Sequence, residues 1–199
     1  MQKVAIFIGK VSGIGLAVAR ALCEREWMVH IISRGAHNIK RLDFVFGSVI
    51  PDGKAGVADN LTVVVRTAVL ALKYGQHNPD GQECSVVLNA NGASFCAAES
   101  ILDPGLDTAA INFVRYISKS WAKQNVRVNV ICPALVPDGI PPMAKVVQVV
   151  LGLVTGELMK DSRKAAGIDE TLHGLAVEIS GEKIHFRDAQ GRTCFPMAH

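Results

Sequence analysis

Residues 3–22, KVAIFIGKVSGIGLAVARAL, constrain the fold more than any other stretch of the chain. They open on a short apolar run from Val4 to Ile8. A glycine-spaced turn follows at Gly9, Gly13 and Gly15, and Ile14, Val18 and Leu22 then recur at helical spacing. This order predicts strand, tight turn and helix. At such a junction the N–H groups of a helix N-terminus face an anion, usually a dinucleotide pyrophosphate. Gly9 permits the turn, Gly13 permits close approach of the backbone, and Gly15 lets helix and strand pack closely. A plain tight turn carries the same glycines, but placement at the first strand–helix junction favours the nucleotide reading.

The 199 residues suffice for one domain with one sizeable core, so residues 1–199 are expected to form a single unit. Hydrophobic residues make up 49% of the chain, which excludes disorder. A net charge of +3, scattered along the sequence, gives no case for nucleic acid. No apolar run approaches a membrane span, and the run at 5–8 is too short for a signal-peptide core. Five cysteines without paired spacing read as reduced thiols of a cytoplasmic protein. With no C-x-x-C and no H-E-x-x-H, no metal site is expected.

Residues 28–33 read as a second parallel strand, ended by Ser33-Arg34. In an open α/β sheet the residues there meet the adenosine ribose, and a basic residue suits the extra phosphate of NADP. Arg34, with Lys10, leans that way, although an exposed surface arginine reads the same. Residues 42–46 form the next apolar run after a gap of only seven residues. A crossover between neighbouring parallel strands needs a dozen or more. The two strands are therefore expected on opposite sides of the first, joined by an extended loop, or one of them is displaced.

Residues 47–60 read as a loop; Val63-Val64-Val65 could be strand by local propensity, whereas a helix over 61–74 would be apolar nearly all round and so buried on more than one side. Asn78-Pro79-Asp80-Gly81 is a strong turn signal. Residues 84–88 are a buried strand whose carboxyl end carries Asn89-Ala90-Asn91-Gly92, where such sheets place ligands. Asn91 can donate to a carbonyl oxygen, or serve only as a turn residue before glycine, and Asn89 is the more readily read as a turn residue. Asp103 caps a helix over about 106–123, with Pro104 in its first turn. Asp103 and Asp107, four apart, suit an acid–base pair or simply a helix N-terminus. Phe113, Ile117 and Trp121 stripe that helix. Residues 126–132 are a strand and 143–153 a helix. Residues 160–170 are charged surface, and the tail from 183 is polar. His173, His185 and His199 lack partners at fixed spacing and read as surface histidines.

Gly9-x-x-x-Gly13-Ile14-Gly15 resembles the nucleotide loop of the short-chain dehydrogenase/reductase family. Further landmarks follow in family order: Asn60-Leu61-Thr62, Ser85-Val86-Val87-Leu88, Ala109-Ala110-Ile111-Asn112 and the strand from Val126 to Pro133. Residues 175–181 resemble the family's last strand. The resemblance implies an α/β fold with a Rossmann-like parallel sheet and helices on both faces, reduced by loss of the segment around the usual third strand. A gene model lacking an exon leaves the same gap. It also implies an NAD(P)-dependent oxidoreductase acting on a small hydroxyl or carbonyl compound. The cofactor would be NADP, held by Gly9, Ser12, Gly13, Ile14, Gly15 and Arg34. A homodimer would form through helices 61–75 and 106–123; ordinary core packing is the other use of those helices.

The family's catalytic residues do not carry over. Its lysine falls on Thr108, its tyrosine on Pro104 and its serine on Asn91; only Asn60 matches. Proton donation to the reacting carbonyl typically contributes about a hundred- to ten-thousand-fold. Three readings survive. A divergent oxidoreductase would use Asn60, Asn91 and Asp107 in catalysis, with Asp107 or water as proton donor. A non-redox isomerase, cyclase or lyase would use the same pocket. A pseudoenzyme would keep only the fold.

Overall fold

The computed structural model describes residues 2–8, 11, 13–32, 41–48, 57–90, 102–133, 141–158, 174–187 and 193–196. The side chains of 57–61, 102–107, 119 and 193–196 are outside the description. Within it, strands β1 (Val4–Ile8), β2 (Met28–Ile32), β3 (Phe44–Ser48), β4 (Cys84–Asn89), β5 (Val126–Pro133), β6 (Ala176–Ser180), β7 (Lys183–Arg187) and β8 (Thr193–Pro196) form one sheet. Their order is β2-β1-β3-β4-β5-β6-β7-β8. The first six are parallel, and the last two add as antiparallel strands. Helices α1 (Ile14–Cys23), α2 (Val57–Leu70), α3 (Leu102–Ala122) and α4 (Met143–Thr155) cover it, and a π-helical turn (Ala71–Gly75) extends α2.

The central strands are buried on both faces, so β1 reads as a continuous apolar run, while the alternating β5 buries its polar Arg127 and Asn129 as well. One core, with Ile6, Val45, Val86 and Val128, packs beneath α2 and α3. The other, with Phe7, Phe44, Phe46, Val87 and Ile131, packs beneath α1 and α4. Phe7 meets Phe44 edge-on at 6.0 Å between ring centres and Phe46 at 5.4 Å, which ties β1 to β3.

β2 and β3 lie on opposite sides of β1, the first of the two arrangements that the short gap allows. β2 is consequently an edge strand, with Met28 43% and Ile31 61% exposed. At the amino end of β3, Asn78 accepts from the Leu42 N–H and donates to the Leu42 carbonyl, both at 3.0 Å. The expected turn at 78–81 thereby pins the strand that re-enters after the gap; Gly81, at φ +67°, supplies its left-handed residue.

Several expectations are corrected. α2 begins at Val57, not after Asn60, and Gly47 and Ser48 belong to β3 rather than to a loop. α2 buries one side only: Val64, Thr67 and Ala68 face inward, while Val65 and Val69 stand 45% and 56% exposed. α3 starts at Leu102, so Asp103 lies inside the first turn instead of capping it. Pro104 is accommodated there because first-turn N–H groups have no intrahelical partner. β6 is not the last strand. Gly181, at φ +55°, closes a two-residue hairpin into β7, and the buried Glu178 of β6 pairs with Arg187 of β7. Phe113, Ile117 and Trp121 do form the inward stripe of α3. Residues 160–170, His173 and His199 lie outside the described residues, and His185 sits half-buried in β7.

Candidate functional site

The strand order reverses at β1. The chain runs from β1 to β2 on one side and resumes at β3 on the other. In open α/β sheets the carboxyl ends flanking such a reversal form the ligand crevice. The N-terminus of α1 stands over it. Gly13 precedes the helix at φ 51°, ψ −117°, and its carbonyl accepts the Ala17 N–H at 3.0 Å. Among the described residues no side chain caps this end, and its first turn carries no acid. Its free N–H groups and the positive end of its dipole are left to an anion. A Cβ added at Gly13 would meet nothing within 4 Å, so the space over the turn is open. At Gly15 a Cβ would lie 3.5 Å from the Phe46 ring, in ordinary contact, so helix and strand pack closely there. Ile14 packs half-buried against the core beneath α1.

The structure thus brings Gly13, Ile14 and Gly15 together at the predicted place. Gly9, Lys10, Ser12, Arg34 and Asn91 lie outside the described residues. Asn60 is the fourth residue of α2 and Asp107 the sixth of α3; their side chains are not described. Asn91 would follow two residues beyond the end of β4.

Two polar residues at this end of the sheet were not singled out from sequence as site residues. Ser48 closes β3 and Asn89 closes β4, paired in register. Asn89 is a strand residue rather than a turn residue, 1% exposed. Its Nδ2 donates to Ser48 Oγ at 3.3 Å, while its Oδ1 has no hydrogen-bond partner among the described residues. An unsatisfied buried acceptor typically costs about 1–3 kcal/mol. The signal for it in the sequence is the polar residue that ends the apolar run 86–88.

The displaced titrations are at the opposite end of the sheet. Burial pushes up the thiol of Cys84, the first residue of β4. The Arg41 guanidinium is held charged chiefly by its hydrogen bonds to Asp43, against the opposing effect of burial. A groove of about 580 Å³ between α1 and α4, lined by Ala21, Val147, Leu151 and Leu158, also lies towards the C-terminus of α1 and away from this crevice. Among the described residues no three His, Cys, Asp or Glu side chains gather as metal ligands, and no helix is long and apolar enough to cross a membrane.

An open parallel sheet with a glycine turn at its reversal point defines a Rossmann-like nucleotide-binding class of fold. Comparison with known proteins narrows it. A short-chain dehydrogenase/reductase of Penicillium rubens, prx7, is 32% identical over 150 residues, which are 65% of this chain and 53% of that protein. The chain therefore spans about half the length of the curated relative it matches. The 3-alpha-hydroxysteroid dehydrogenase of Pseudomonas sp. B-0831, solved with NADH, superposes with a TM-score of 0.61 at 19% identity, over 90% of this chain and 95% of that one. The 3-ketoacyl-(acyl-carrier-protein) reductase of Brucella melitensis, also with NADH, gives a TM-score of 0.65 at 15% identity, over 89% and 96%. No protein-family model matches the chain. Over those 150 residues the chain is similar in sequence to a short-chain dehydrogenase/reductase, and its fold is that of the solved reductases.

Proposed function

We propose that this chain is a short-chain dehydrogenase/reductase-like protein that binds a nicotinamide dinucleotide over the N-terminus of α1 but lacks the family's usual hydride-transfer residues. The supporting observation is that helix end: among the described residues it is open above Gly13, uncapped and without an acid in its first turn. NADH in the Pseudomonas and Brucella enzymes supports the cofactor class. Arg34 and Lys10 favour NADP, with Gly9, Ser12, Gly13, Ile14 and Gly15 around the pyrophosphate. The cofactor, when bound, supplies the hydride chemistry. This chain's own residues have a reduced role: Asn91 donates to a substrate carbonyl, Asn60 orients it, and Asp107 or water supplies the proton. The substrate class is a small hydroxyl or carbonyl compound. Pro104 and Thr108, standing where tyrosine and lysine are usual, can neither donate that proton nor tune its donor.

The cytoplasm is the compartment that five cysteines without paired spacing favour. A homodimer is placed on helices 61–75 and 106–123, where Val65, Val69 and an 87% exposed Tyr116 offer apolar surface. Titration with NADPH and NADH tests the reading: saturable binding, tighter for NADPH, is expected. Turnover of a substrate without any cofactor would replace it with the non-redox reading. Absence of both binding and turnover would replace it with the pseudoenzyme.

A further inference from the structure

We propose, building on the nucleotide-binding reading above, that Asn89 is a binding residue for the nicotinamide–ribose half of the dinucleotide. Its Oδ1 accepts a hydrogen bond from a hydroxyl or amide N–H of that half, and Ser48 holds it in place. Neither residue belongs to the glycine turn or to the positions that replace serine, tyrosine and lysine.

The first ground is position. Ser48 and Asn89 end β3 and β4 side by side at the carboxyl edge of the sheet. The second is the face they share with α1. Gly15 of α1 approaches the Phe46 ring, and Ser48 lies two residues beyond Phe46 on the same strand. Asn89 likewise lies two residues beyond Val87 and is paired with Ile131; both of those belong to the core beneath α1 and α4. The amide and the open helix end are therefore on one side of the sheet.

The third ground is the unmet acceptor. Asn89 is 1% exposed, its Nδ2 is engaged with Ser48, and its Oδ1 lacks a partner among the described residues. A leucine has nearly the same shape and would suit neighbours such as Val87 and Ile131 without that penalty. A ligand donor removes the penalty and uses the carbonyl that Ser48 orients.

The strand order says which half of the ligand arrives. The adenosine ribose meets the end of the second strand, and β2 lies on one side of β1. A dinucleotide with its pyrophosphate over α1 and β1 must extend its other half across β3 towards β4. Asn129 makes a natural control. It is on the same face, opposite Val87 and so one pleat deeper, fully buried, with neither amide atom partnered among the described residues. Its depth keeps it from the crevice.

The test uses the full chain, NADH and ADP, with cofactor fluorescence and calorimetry as readouts. Asn89→Leu is expected to weaken NADH binding about tenfold while leaving ADP affinity unchanged. It is also expected to raise the melting temperature of the ligand-free protein. Ser48→Ala should weaken NADH about threefold and leave ADP alone, and Asn129→Leu should leave both affinities unchanged. Asn89→Leu with wild-type NADH affinity, or with NADH and ADP weakened alike, overturns the proposal. If Asn89→Leu does not fold, Ser48→Ala with wild-type NADH affinity overturns it instead. A folded wild type that binds no NADH removes the nucleotide reading itself and this inference with it. That outcome is distinct from wild-type binding that Asn89→Leu leaves intact.

Discussion

Asp43 grips Arg41 with both carboxylate oxygens: Arg41 Nε donates to Oδ2 and Nη2 to Oδ1, each at 2.7 Å, and Oδ2 also accepts the Val4 N–H at 2.8 Å. Both residues are buried, so the pair clamps the start of β3 onto β1 where the chain re-enters after its shortened connection. Breaking a buried pair leaves an uncompensated charge. Asp43→Asn should therefore destabilise by about 3 kcal/mol in urea denaturation. Replacing both partners, Arg41→Met with Asp43→Leu, should recover a large part of the loss. A single variant as stable as the wild type would remove the clamp from the account.

Asp80 joins the same cluster at 2.7 Å from Arg41. The Arg41 hydrogen bond holds its carboxyl below the ordinary carboxylate range. A depressed pKa contributes stability that is present above the unfolded value, about pH 4, and is lost as pH falls through the folded value. The wild type should therefore lose its lead over Asp80→Asn on acidification below about pH 4. Melting temperatures of the two proteins from pH 7 to pH 2.5 check this; a constant difference across the range would contradict it.

Gly75 ends the π-helical turn against β4. A methyl there would overlap Cys84, with Cys84 Sγ 2.6 Å away, and would stand 3.5 Å from the Leu42 carbonyl. Overpacking of this kind costs about 1–3 kcal/mol. Gly75→Ala should lower stability by that amount in denaturant, and Cys84→Ala in the same chain should restore part of it.

The exposed edge at β2 is a template for pairing with another chain, because Met28, Val29, Ile31 and Ile32 carry neither charge nor proline. Ile31→Lys should suppress self-association at high protein concentration and leave the unfolding midpoint nearly unchanged. Light scattering and thermal melts of the two proteins check this together.

Much of the fold was legible because it rests on local rules. Apolar runs mark β1 and β4, alternating β-branched residues mark β5, and the glycine turn marks the reversal point. Seven residues between apolar runs were enough to exclude β2 and β3 as crossover-linked neighbours, leaving opposite sides of β1 or a displaced strand, since chain length limits what a connection can cross. Helix starts were less legible: Val57 and Leu102 begin helices several residues before the apolar periodicity does. The β7 strand was missed because an antiparallel strand near the sheet edge tolerates the polar residues of KIHFR, and only Ile184 and Phe186 signal its buried side. In the site, glycines are readable because they answer to backbone geometry. Asn89 was not, because a lone asparagine near a strand end looks like a turn until its pairing with Ile131 and its buried carbonyl are seen.

The measurement that tests the central claim most directly is titration of the folded protein with NADPH, alongside Gly13→Val. Gly13 holds a left-handed backbone under open space, so valine both strains the turn and fills the approach to the helix end. The account predicts saturable binding by the wild type and at least about tenfold weaker binding by the variant. Failure of the folded wild type to bind at millimolar cofactor, or equal binding by the two proteins, would contradict it.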